Sequence, residues 1–252
     1  MIPDVFSLAA SGCLLLWPLS LRLGAWAVGA CGIAGLAAWM PHGWVAAGFA
    51  SVALLFAVFN AGKGVQRFSR APEHRQPETW AEAMSVCGPV VATVAWVWSR
   101  YNGSFAGFPD PLATLTVAHF SVTFGLLPAA LAGWNRQLPP SRLRRVGLWG
   151  LVLLPPGVGL LFALRAQLLV PSLLEVLGTV LMAGSFVFWW LGAPTWKLRL
   201  LALPLLSGFV LGAGYAASAH FGWVWLDYRG MLGWHGLGNL ISCVLLLRAL
   251  PR

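Results

Sequence analysis

Charge is what this sequence lacks most. Only 9% of its 252 residues are charged, against 59% hydrophobic, whereas an ordinary soluble domain carries roughly 25% charged residues. Seven acidic and sixteen basic side chains cannot clothe a water-soluble globule of this length. A soluble enzyme and a disordered chain are thereby excluded. Cysteine is also scarce. Cys13, Cys31, Cys87 and Cys243 each fall inside an apolar run and form no CxxC pair. That excludes a disulfide scaffold and a thiolate metal site, and leaves them as small packing residues. Histidine occurs five times with no HxxxH spacing, which excludes the histidine boxes of di-iron membrane oxygenases. No basic stretch precedes the first apolar run, so that run reads as a retained helix rather than a cleaved leader. No internal repeat and no separate soluble domain stand out, so residues 1–252 read as one transmembrane domain.

What the sequence has is apolar length. Nine runs, at about 5–21, 23–40, 44–60, 81–98, 112–133, 146–165, 168–192, 198–219 and 231–249, approach the roughly 17–25 residues of a spanning helix. The fold class is therefore all-α: a polytopic transmembrane helical bundle of about nine spans, or eight if a short N-terminal run fails to cross. Assigning the connections to alternate sides puts thirteen Lys and Arg residues on one side and three (Arg100, Arg165, Arg229) on the other. The positive-inside rule then sets the N-terminus outside and the C-terminus in the cytoplasm. Residues 62–80, with Lys63, Arg67, Arg70, Glu73, His74, Arg75 and Glu78, read as a cytoplasmic loop at an anionic lipid surface. The net charge of +9 is explained by topology and lipid. No basic-aromatic module points to nucleic acid.

Polar residues inside apolar runs are the candidate functional groups, because burying them in lipid is costly. His119 lies seven residues into a helix entered from outside, about 10 Å deep at 1.5 Å per residue. Glu175 lies equally deep, and His235 and Asn239 lie in the first two turns of the last helix. Arg100, Tyr101, Asn102 and Asp110 precede the His119 helix on the outer side, Asp227, Tyr228 and Arg229 precede the last helix there, and His220 ends a helix on that side. Spacing puts Thr116, His119 and Thr123 on one helix face, Glu175, Thr179 and Met182 on another, and His235, Asn239 and Ser242 on a third. Glu82 starts its helix at the cytoplasmic end, where the helix dipole favours a carboxylate.

The stretch Leu115-Thr116-Val117-Ala118-His119-Phe120, followed by Phe124 and Ala132-Gly133, resembles the YndJ-like family of bacterial membrane proteins. So does Met231-Leu232-Gly233-Trp234-His235-Gly236-Leu237-Gly238-Asn239. Glu82 with Gly88, Trp96, Ser99 and Arg100 fits the family's Glu-containing helix, and the resemblance covers roughly residues 78–250. Where the family often continues His-Phe with a second histidine, this chain has Ser121 and Val122. The resemblance implies a multi-pass protein of the bacterial inner membrane, with His119, His235 and Asn239 as site residues.

Histidines and carboxylates in a Trp- and Phe-rich setting suit proton transfer in a water-poor cavity. The expected function is an integral-membrane acid-base enzyme. It would catalyse cyclisation or isomerisation of a lipophilic terpenoid- or polyketide-like substrate that enters from the bilayer, without cofactor or metal. The expected catalytic residues are His119, Glu175, Asp227, His235, Asn239 and Glu82. Thr116, Phe120, Thr123, Tyr228, Trp234 and Trp96 are expected to hold the substrate. Two other classes fit less well: a small-molecule transporter built on Gly/Pro-broken helices, and a haem redox protein with two axial histidines.

Overall fold

The computed structural model describes residues 5–21, 23–73, 75–105, 107–110, 112–168, 172–222 and 236–250. They form nine helical segments, one for each apolar run. These are α1 (Val5–Ser20), α2 (Ala25–Gly35, continued by a tighter turn Leu36–Trp39), α3 (Trp44–Arg70) and α4 (Pro77–Asn102). A fifth, continuous helix is made of α5 (Leu112–Phe120), a wide π turn (Ser121–Leu126) and α6 (Leu127–Gln137). Then follow α7 (Arg142–Leu168), α8 (Ser172–Leu191), α9 (Trp196–Phe221) and α10 (Gly238–Arg248). Between α4 and α5 the chain makes a minimal antiparallel hairpin, β1 (Ser104–Phe105) with β2 (Phe108–Pro109).

Among the described residues, five helices are long and apolar enough to cross a membrane: Trp44–Arg70, Pro77–Asn102, Ala113–Gln137, Leu173–Leu191 and Trp196–Ser218. The expected loop 62–80 is shorter than its polarity suggested. α3 runs on to Arg70 and α4 begins at Pro77, leaving residues 71–76 between them. Lys, Arg and Gln are good helix formers, so the end of the apolar run marks where α3 leaves lipid, not where the helix stops. Pro77 opens α4 because a first-turn proline needs no N–H donor.

The chain divides into two compact units. The first holds residues 1–74 and 82–129, the second residues 75–81 and 130–252. The core of the first is built of small residues around one large one: Ala10, Leu14, Ala37, Ala38, Ala46, Ala50, Ala92, Ala95, Trp96 and Val117. On α3, Ala46, Ala50, Ala53 and Ala57 are buried while Val45, Leu55 and Phe59 are exposed. Small residues inside and large ones outside let helix backbones approach closely, as packing in lipid requires. Gly88 of α4 meets Phe124 of the π turn so closely that no side chain would fit there. The π turn itself precedes Pro128, whose ring would collide with a carbonyl four residues back in a regular helix. In the second unit α7, α8 and α9 pack in chain order and α10 packs on α9. Gly147 of α7 lies against Trp189 of α8, and Phe186 stacks on Phe209 with ring centroids 5.1 Å apart.

Candidate functional site

The densest polar cluster in the first unit is centred on Asp110, at the start of α5. Its Oδ1 accepts from the Ser99 hydroxyl (3.0 Å), the Thr114 hydroxyl (2.6 Å) and the Thr114 backbone N–H (3.1 Å). Its Oδ2 accepts from Arg100 Nη2 (2.9 Å) and faces His42 Nε2 (2.9 Å). Arg100 is buried, with 3% of its side chain exposed, while Asp110 is 23% and His42 45% exposed. The carboxylate thus joins a buried cation beneath it to an accessible imidazole above it. A carboxylate accepts only, so Nε2 of His42 carries the proton in this contact and Nδ1 is the other ring nitrogen.

Local sequence builds this arrangement. The carboxylate of Asp110 caps the first turn of α5 through the Thr114 N–H, as short acidic residues do at helix starts. Gly103 has φ +71, which turns the chain sharply after α4 and brings the hairpin back. The backbone N–H of Asp110 then donates to the Gly103 carbonyl (2.9 Å), and that of Gly43 to the Arg100 carbonyl (2.9 Å). The His42 ring lies 3.8 Å from where a Gly103 side chain would start. Arg100 also lies over the Trp96 ring, 4.8 Å from its centroid, an arrangement that stabilises a cation. Trp39, Trp44, Trp98 and Tyr101, all at this end of their helices, are exposed, and Trp44 lies 4.4 Å from Tyr101 between ring centroids. Exposed Trp and Tyr mark the boundary between lipid and water.

Eight of the twelve residues expected from the sequence lie among the described ones. His119 is exposed on α5, five residues past Thr114 and so about 140° around the helix from it. It is not part of the Asp110 cluster. Thr116 is half-buried. Thr123 is buried and donates to the His119 carbonyl (2.7 Å). Phe120 packs against the core of the first unit and against Phe124. Trp96 is wholly buried in the core of the first unit and donates from Nε1 to the Ala34 carbonyl (3.0 Å). Glu82 is exposed, eighteen residues before Arg100 and about 27 Å from it along α4. Asp227, Tyr228, Trp234 and His235 lie outside the described residues.

In the second unit, Glu175 is half-buried in the first turn of α8. Asn239 is buried against Gly208, where no side chain would fit, and its Oδ1 has no hydrogen-bond partner. One helical turn on, Ser242 donates to the Leu201 carbonyl of α9. The polar network of this unit lies elsewhere. Buried Glu78 accepts from Asn135 Nδ2 (3.0 Å), and Asn135 accepts in turn from Trp189 Nε1 (2.9 Å). Arg144 donates to the carbonyls of Gly192 and Pro139. Burial pushes its guanidinium below the ordinary arginine pKa, and the Glu78 carboxylate opposes that. Among the described residues no group of three His, Cys, Asp or Glu side chains could hold a metal ion.

Sequence reasoning missed His42. It sits in a short connection, not in an apolar run, so depth in lipid did not select it. The signal that finds it is the alternation of sides, which puts residues 41–43 and 99–111 at one end of their helices.

The family model described as "YndJ-like protein" matches residues 1–243, which extends the resemblance through the N-terminal helices. No curated protein and no solved structure matches the chain.

Proposed function

The chain belongs to the YndJ-like family, and from that premise we propose that it is an integral-membrane acid-base enzyme of the bacterial inner membrane. In this reading it has nine spans and an external N-terminus, and it isomerises or cyclises a lipophilic terpenoid- or polyketide-like substrate. One observation carries the reading: an accessible imidazole, His42, held 2.9 Å from the carboxylate of Asp110 at an aromatic-rimmed end of apolar helices.

Each residue has a role. Arg100, Ser99 and Thr114 fix the orientation of Asp110. Asp110 orients the His42 ring and stabilises it when protonated, as a carboxylate does for a general acid-base histidine. The imidazolium delivers its Nδ1 proton to an alkene or epoxide. The resulting cation rearranges or closes a ring, and the neutral imidazole collects the proton released. Such a cycle conserves atoms and electrons and needs no co-reactant. A transporter reading draws on no comparable observation.

The test compares lipid extracts from cells carrying the wild-type protein, His42→Ala, Asp110→Asn or His119→Ala. The expected result is a pair of species of equal mass that interconvert with the wild type and His119→Ala, but not with the other two. Interconversion that survives His42→Ala would overturn the assignment of this site. Extracts identical with and without the wild-type protein would overturn the enzyme reading.

A further inference from the structure

The far end of α3 carries a ladder of cations above an apolar surface. Phe59, Lys63, Arg67 and Arg70 follow at four-, four- and three-residue spacings, so they share one helix face. All four are exposed, as is Leu55 one turn below. Lys63 Nζ lies 4.2 Å from the centroid of the Phe59 ring. None of the three cations forms an ion pair among the described residues.

The height of the ladder follows from the helix. Exposed Trp44 marks one boundary of the membrane, and Lys63 lies nineteen residues further on, about 28 Å away. That matches the hydrocarbon thickness of roughly 30 Å. Lys63 therefore stands at the second boundary, its ammonium over the face of Phe59 one turn below. Arg67 and Arg70 rise above it in the same column. Gly64 packs against Val86 of α4 with no room for a side chain, which fixes this end of α3 in the first unit.

We infer that this face is a binding site for an anionic phospholipid. The acyl chains lie along Leu55 and Phe59, and Lys63, Arg67 and Arg70 hold the phosphate and its charged headgroup. Apolar surface below and three exposed cations above complement such a lipid and not a zwitterionic one. The inference is independent of the proton-transfer reading, which concerns the other end of α3.

The full chain, stripped of lipid in a neutral detergent, is titrated with phosphatidylglycerol, phosphatidylcholine or inorganic phosphate, and its thermal midpoint is recorded. Phosphatidylglycerol is expected to raise the midpoint by several degrees more than phosphatidylcholine, and inorganic phosphate to leave it unchanged. K63Q/R67Q/R70Q is expected to keep the midpoint in detergent alone and to lose the phosphatidylglycerol increment. R142Q/R145Q, which removes two exposed cations of α7, is expected to retain it. Equal effects of the two lipids, an equal effect of phosphate, an increment retained by the triple variant, or the same loss in R142Q/R145Q would each overturn the assignment.

Discussion

Asp110 and Glu78 are both carboxylates at a helix start near a buried arginine, yet their surroundings differ. Asp110 takes five hydrogen-bond donors over its two oxygens, Arg100 among them. Buried Glu78 takes one, from Asn135, and its Oε2 has no partner. Arg144 gives its hydrogen bonds to carbonyls instead. The first carboxylate is saturated and reaches the surface through His42. The second anchors the first turn of α4 within the second unit and reaches no surface. A fully satisfied carboxylate can hold a reactive group in one orientation. A singly bonded one mainly fixes a backbone.

The largest expected effect tests that saturation. Asp110→Ala leaves Arg100 buried without its counter-ion and should cost about 3–5 kcal/mol in unfolding of the detergent-solubilised protein. Removing both charges in R100M/D110L should recover most of the loss. A cost of Asp110→Ala below about 1 kcal/mol would break the comparison. Trp96→Phe should cost about 2 kcal/mol, since it loses the bond to the Ala34 carbonyl and weakens the ring beneath Arg100. Glu78→Gln should cost only about 1 kcal/mol, because the amide oxygen can still accept from Asn135. If it costs as much as Asp110→Ala, Glu78 is the better-paired carboxylate and the contrast reverses. His119→Leu, at an exposed position, should stay within about 0.5 kcal/mol of wild type.

The helices were legible because hydropathy along the chain directly reports which stretches can enter lipid. Each of the nine runs contains a helical segment among the described residues, and the differences lie at the ends. α3 overran its apolar run by ten residues because helix propensity, not hydropathy, governs residues 61–70. The stripe of Thr116, His119 and Thr123 shows a second limit. Spacing gives the face of a residue but not how closely the helix is surrounded at its level. All residues of the π turn, Ser121–Leu126, are buried, so Thr123 is enclosed while His119, one turn earlier, is exposed. Across its apolar window the helix Ala113–Gln137 is 72% buried, against 28–39% for the other four long apolar helices. Nothing in the composition of that helix marks it as the most enclosed of the five. The Asp110 cluster was half legible: Arg100 and Asp110 were placed at one end together, but His42 lies 68 residues from Asp110. Only the return of α2 and α3 to that end brings it near.

That separation has a consequence for how the chain is made. Synthesis delivers His42 first, Arg100 next and Asp110 last. Until residue 110 has emerged, the guanidinium that will be buried has no anion to meet, and the connection holding His42 has nothing to close upon. A nascent chain halted before residue 110 carries four helices and a stranded cation. One halted after Thr114 carries the complete lock. Closure of this polar cluster is therefore timed by the arrival of one acidic residue, and arrested chains of graded length would show protease resistance at this end rising in a single step.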